Sequence, residues 1–160
     1  MNSTQNSDFR TVRGYQLKNL KERQLTPAME DYLEMAYKLC IKNNYTRVGK
    51  ISELLNVKPS SASKMISKLA AIGFLRYDRY EIILLTDKGR EFGAGLVNRH
   101  DTVEQFLKLL GMDDTLEETE LIEHTLSQGT VSEIHTLLEF FRQNEVLQKN
   151  FEAFRKSKKN

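Results

Sequence analysis

Glu120-Leu-Ile-Glu123-His124 combines two carboxylates and an imidazole within five residues. Residues three and four apart share a face of a helix, so Glu120, Glu123 and His124 would point the same way. Oxygen donors suit hard divalent ions such as manganese, and imidazole suits iron, zinc or nickel. Taken alone, the segment also reads as a solvated acidic helix face carrying one His. Asp31 and Glu34 stand three apart near the start of another helix, where the helix dipole explains acids as well as ligation does. His100 and Glu104 lie one turn apart, and His135 has no partner pattern.

A second group suits a polyanion. Residues 42–79 carry eight Lys/Arg against two acids, whereas residues 111–152 carry ten Asp/Glu against two basic residues. A basic half joined to an acidic half suggests one anionic and one cationic partner. The outer face expected around Ser60, Ser61, Ser63, Lys64 and Lys68 has small hydroxyls and lysines. Such side chains allow close approach to DNA, hydrogen bonds to base edges or phosphates, and charge neutralisation.

The elements that position these residues follow from punctuation and periodicity. Hydrophobic residues make up 39% and charged residues 29% of the 160, which suits one globular domain or two small ones sharing a long helix. Residues 1–24 read as a polar tail with basic residues Arg10, Arg13, Lys18, Lys21 and Arg23 and a helical turn near Tyr15–Leu20. Thr26-Pro27 caps and opens a helix with Leu33, Ala36, Tyr37, Cys40 and Ile41 as its stripe, ending at Asn43-Asn44. A short helix over 47–56 buries Val48, Ile51, Leu54 and Leu55. After the turn Val57-Lys58-Pro59, a second helix runs to Ile72, with Met65, Ile66, Leu69 and Ile72 inward. Gly73 caps it.

Two short helices and a tight turn make a helix-turn-helix, whose second helix enters a major groove. Strand-like runs at 74–77 and 81–85 flank a tip at Asp78-Arg79-Tyr80, giving a two-stranded wing. Thr86 caps a long helix to about Leu110, stopped by Gly111. Helices over 115–127 and 131–154 follow, and the Lys-rich end frays. The chain is thus mainly α: a winged helix-turn-helix at 25–88, then an all-helical unit at 89–154 after the tail and before a basic end at 155–160. Three helices after the wing bury little alone, so a homodimer is expected, with recognition helices about one DNA turn (~34 Å) apart. The lone Cys40 makes no internal disulfide, and no signal peptide or spanning apolar run is present. A cytoplasmic chain without a membrane partner is expected.

This order of elements resembles the diphtheria toxin repressor family of metal-dependent regulators, closest to its manganese transport regulator branch. The resemblance runs from about Leu25 to Phe151. It rests on Pro27-Ala-Met-Glu-Asp31-Tyr-Leu-Glu34, Pro59-Ser-Ser-Ala-Ser-Lys64, Leu85-Thr-Asp-Lys-Gly89, Arg99-His100 with Glu104-Gln-Phe106, and Glu120-Leu-Ile-Glu123-His124-Thr-Leu-Ser127. It implies a binuclear manganese site of Asp31, Glu34, His100, Glu120, Glu123 and His124. In the iron-sensing branch the positions of Asp31 and Glu120 hold Met and Cys, and that of Leu116 holds a His belonging to an ancillary site. Glu104 is left a structural or outer role. DNA contacts fall to Arg47, Lys58, Ser60, Ser61, Ser63, Lys64, Lys68 and, at the wing tip, Arg79 and Tyr80.

The implied function is a manganese-responsive repressor of metal-uptake genes that binds double-stranded operator DNA as a homodimer, with one or two Mn2+ per subunit. Fe2+, Zn2+ or Co2+ are possible substitutes, and no small organic substrate is expected. The alternatives are an iron(II)- or zinc-responsive regulator and a metal-independent winged-helix regulator. An enzyme is not expected: a metal-dependent hydrolase lacks a nucleophile motif here and has no use for a basic winged helix.

Overall fold

A computed structural model describes residues 25–78, 80 and 82–158. The expectations for the tail at 1–24 and for Arg79 lie outside the described residues. Thr26 caps helix α1 (Pro27–Asn43), its Oγ1 accepting from the Met29 amide, and Asn44 ends it in the left-handed region. Strand β1 (Thr46–Arg47) leads into α2 (Val48–Leu54), and α3 (Pro59–Ala71) completes the helix-turn-helix. Strands β2 (Leu75–Tyr77) and β3 (Ile82–Leu85) follow.

The wing is part of a three-stranded antiparallel sheet in the order β1-β3-β2 rather than a two-stranded hairpin. Thr46 pairs with Ile83 and Arg47 with Ile82, because Arg47 is extended (φ −132°, ψ 154°) instead of starting α2. At the wing tip, the Asp78 carboxylate accepts from the amides of Tyr80 (2.8 Å) and Ile82 (3.0 Å), which holds the turn.

The core of this half gathers Leu33 and Ala36 of α1, Ile51 of α2, Ala62, Ile66 and Leu69 of α3, Phe74, and Ile83 of β3. Burying one such side chain contributes roughly 1.5–3 kcal/mol. α1 and α3 therefore share one packed core. Ile41, Leu54 and Ile72, expected inside, are exposed, and Ala62 takes the buried position near the start of α3.

α3 ends in a Schellman arrangement, with Phe74 N donating to Leu69 O and Gly73 N to Ala70 O, which requires Gly73 at φ +85°. Thr86 then caps α4 (Asp87–Leu109), accepting from Gly89 N while its hydroxyl reaches the carbonyls of Gly73 (2.7 Å) and Phe74 (3.0 Å). That brings the first turn of α4 onto the backbone of Phe74. A Cβ at Gly89 would lie 1.9 Å from the Phe74 carbonyl oxygen, so only glycine fits.

α5 (Leu116–Glu123) is shorter than the 115–127 expected, because Ser127 caps the next helix by accepting from Thr130 N (3.1 Å). α6 (Gln128–Gln143) runs through Gly129-Thr130, where a break was expected. The last helix is broken instead at Asn144 (φ −133°, ψ 67°), and α7 (Glu145–Ser157) turns back, so this half has four helices. Phe151 packs on Phe141 (ring centroids 5.5 Å apart), and Arg155 Nη1 donates to Leu110 O (2.9 Å) at the C-terminus of α4. A cation there pairs with an orphan carbonyl and the negative end of the dipole. α7 therefore continues through residues expected to fray.

Gly89→Ala is expected to destabilise the fold by about 1–3 kcal/mol through overpacking against backbone that cannot yield. Denaturant unfolding checks it; unchanged stability would mean that α4 does not sit against Phe74.

Candidate metal centre and DNA-binding face

α1 turns Leu33, Ala36 and Cys40 toward the core and leaves Glu30, Asp31 and Glu34 toward the unit that follows. α4 passes behind with Arg99 and His100, and α5 ends at Glu123 with His124 as its C-cap. Glu34, His100 and Glu123 each offer a ligand atom, and these atoms all lie within 4.8 Å of one another. His100 Nδ1 is 3.0 Å from Glu123 Oε2. The other Glu123 oxygen, Oε1, is 3.6 Å from His124 Nε2, which also meets Asp31 Oδ1 at 3.0 Å. Glu123 thus stands between two groups, Glu34 with His100 and Asp31 with His124. The donors are carboxylates and imidazoles, a set that fits a divalent ion. Cys40 is directed elsewhere, its thiol donating to Ile83 O inside the winged helix.

Five of the six sequence-derived ligand candidates meet here. Glu120 does not: its side chain is exposed one turn before Glu123. Glu104 pairs with Lys108 (2.7 Å), which holds its carboxyl below the usual range, and Thr115 donates to it at 3.5 Å. His135 is exposed. Two participants carried no assigned role in the sequence. Glu30 is 5% exposed, with its carboxylate 2.7 Å from His124 Nδ1, and Arg99 Nη1 lies 3.6 Å from the same carboxylate. The available signal was the spacing of four between Glu30 and Glu34, which puts both on one face.

The electrostatics follow from crowding. Burial pushes the Glu123 carboxyl up, and Glu34 adds to this by repulsion, although His100 and His124 pull it down. Hydrogen bonds to Asp31 and Glu30 lift His124 from 6.5 to about 10. These carboxylates favour the protonated, cationic form of His124 at neutral pH. Lys38 pairs with Glu34 from the solvent side (2.6 Å).

In the helix-turn-helix, Ser60, Ser61, Lys64 and Lys68 lie exposed along α3, with Lys58 at its N-cap. Ser63 is half-buried and shares a hydrogen bond with the Tyr77 hydroxyl (3.2 Å), which ties α3 to the sheet. Arg47 Nη1 donates to Tyr80 O (3.5 Å), and Tyr80 is 60% exposed at the wing. Among the described residues no helix is long and apolar enough to cross a membrane.

A winged helix-turn-helix joined by a long helix to a carboxylate–imidazole cluster defines a metal-dependent transcriptional regulator. Residues 24–82 match the iron dependent repressor N-terminal DNA-binding domain, and residues 86–150 match the iron dependent repressor metal-binding and dimerisation domain. The chain belongs to this family, which includes the diphtheria toxin repressor.

The HTH-type transcriptional regulator MntR of Shouchella clausii is 43% identical over 122 residues, 75% of this chain and 85% of that protein. MntR of Bacillus subtilis is 39% identical over 133 residues, covering 82% and 94%. Among solved structures, the manganese regulator SloR superposes with a TM-score of 0.63 at 31% identity over 72% of this chain. The zinc-bound form of ScaR gives 0.60 at 34% over 70%. This chain spans about half of those two chains, 55% and 54%.

In the metal-free protein, the raised His124 pKa contributes stability that is fully present below about pH 6.5 and lost as pH rises through about 10. Urea unfolding of wild type and His124→Gln should show a stability gap that closes between those values. A gap that widens with pH would mean that His124 is not held as a cation.

Proposed function

We propose that this chain is a manganese-responsive homodimeric repressor of metal-uptake genes, acting in the cytoplasm, that binds operator DNA when divalent metal is held at the cleft between α1 and α5. The observation that carries the reading is the meeting of Asp31 and Glu34 with His100, Glu123 and His124 across that cleft. Glu120, exposed one turn before Glu123, is included in the proposed ligand set on the family resemblance alone, and its side chain would turn inward to reach the ion. Two ions per subunit are supported by the two oxygens of Glu123, one directed to each histidine.

A divalent ion supplies the positive charge that relieves repulsion among these carboxylates. Asp31 and Glu34 belong to the helix that packs on α3, so drawing them toward Glu123 fixes α3 relative to the rear helices. In the dimer this sets the separation of two recognition helices. We divide the chain at 25–88 and 89–154, with the second unit making the dimer. Its exposed Leu121, Phe140, Val146 and Phe154 supply apolar surface for a second copy. DNA contact is assigned to Arg47, Lys58, Ser60, Ser61, Ser63, Lys64, Lys68, Arg79 and Tyr80.

Carboxylate and imidazole donors without sulfur support manganese over iron. The relatives named MntR and the manganese regulator SloR support the same assignment. Zinc or iron(II) is the second reading, favoured by the affinity order of divalent ions and by the zinc-bound ScaR structure. Operator binding across a panel of divalent ions at fixed salt separates the two. Strong stimulation by zinc or iron(II) at concentrations where manganese does nothing would overturn the manganese assignment.

Two substitutions separate the two ends of the molecule. Asp31→Ala should reduce the metal stimulation of operator binding by roughly 5–150-fold, the range of a typical coupling, while leaving metal-independent DNA binding intact. Unchanged operator affinity in manganese removes Asp31 from the site. Lys64→Ala should lower DNA affinity and reduce the salt slope by about 1, without changing manganese affinity of the free protein. A large metal defect in that variant would misplace α3.

A further inference from the structure

Glu30 is outside the six proposed ligands, yet it is one of the most buried acids of the cleft. Its Oε2 stands 2.7 Å from His124 Nδ1 and 3.6 Å from Arg99 Nη1. The same arginine nitrogen reaches the Glu123 carbonyl at 3.4 Å. Three elements are therefore joined at one point: α1 through Glu30, α4 through Arg99, and the end of α5 through Glu123 and His124. The other ring nitrogen of His124 faces the remaining carboxylates, with Nε2 at 3.0 Å from Asp31 and 3.6 Å from Glu123.

A neutral imidazole has one nitrogen that carries a proton and one that offers a lone pair, and the hydrogen bond made by the first decides which is which. An ionised carboxylate oxygen can only accept, so a carboxylate against Nδ1 keeps the proton there. Arg99 faces that carboxylate from the neighbouring helix as an ion-pair partner at 3.6 Å, which favours its ionised, accepting form. We infer that Glu30 is a positioning residue that holds the proton on Nδ1 of His124, so that the imidazole presents Nε2 to Asp31 and Glu123 as the metal-ligating nitrogen.

The inference rests on the proposed role of His124 as a ligand. It adds the orientation and tautomer of the ring, and assigns them to a residue and an arginine that do not themselves touch the ion. Partners of this kind typically govern metal affinity by about 10–100-fold.

The wild-type protein carries the first test. With 15N-labelled histidine and cadmium as a diamagnetic probe, His124 should show a proton on Nδ1 and metal coupling on Nε2. Cadmium on Nδ1 overturns the inference while keeping His124 as a ligand. No cadmium-induced change at His124 removes both readings together.

Variants carry the second test. Glu30→Leu should weaken manganese binding, measured by calorimetry, by about 10–100-fold and, in the cadmium-bound protein, spread the metal coupling of His124 over both ring nitrogens. Glu30→Gln retains an acceptor oxygen and should restore most of the affinity and the Nδ1–H signature. Wild-type affinity and tautomer in Glu30→Leu would overturn the assignment, as would a Gln variant as defective as the Leu variant. Thermal unfolding establishes that each variant is folded, and the cadmium experiment decides the matter if Glu30→Leu is not.

Discussion

Four carboxylates converge on two imidazoles between α1 and the end of α5, and this crowding constrains the rest of the molecule. Glu30, Glu34 and Glu123 are buried, and Asp31 is half-exposed beside them. Buried like charges repel strongly where water cannot screen them. Protein cations meet these acids: His124 bridges Glu30 and Asp31, Arg99 approaches Glu30, and Lys38 pairs with Glu34.

The fold connects that cleft to the helix-turn-helix by packing. α1 carries the acids on one face and core residues on the other, and its core face packs with α2, α3 and the sheet. α4 packs on α1 at one end and on α5 and α6 further along. Its first turn is held against Phe74 by Thr86 and Gly89. A change in how firmly α1 is tied to Glu123 and His124 therefore reaches α3 through packed side chains rather than through a flexible linker. Under the proposed function, metal affinity and operator affinity change each other by the same factor.

Much of this was legible in the sequence because the signals were local. Thr26-Pro27, Pro59, Gly73, Thr86 and Gly111 each fix a helix end by their own backbone chemistry, and each end lies within a residue or two of its expected place. Long-range or compensating features were not legible. Strand β1 exists because Thr46 and Arg47 pair with β3, more than thirty residues away. The turn at Asn144 interrupts a periodic apolar pattern so that α7 can fold back and offer Arg155 to the end of α4. At the site, the i,i+3 and i,i+4 rules grouped Glu120 with Glu123 and His124, and Asp31 with Glu34, but the meeting of the two helices needed the family resemblance. Glu30 and Arg99 escaped notice because their role is defined by His124, 94 positions away from Glu30. Glu120 shares a helix with Glu123 yet faces solvent, since α5 has only eight residues and its inner side is taken by Thr119 and Glu123.

The central claim is that one ion is held jointly by the helix of the DNA-binding half and the helices of the other half. Anomalous diffraction at the manganese edge from crystals grown with ample manganese measures this directly. The expected result is an anomalous peak contacted by Asp31 or Glu34 together with Glu123 or His124. A peak bound by only one of those pairs, with the other pair turned to solvent, would contradict it.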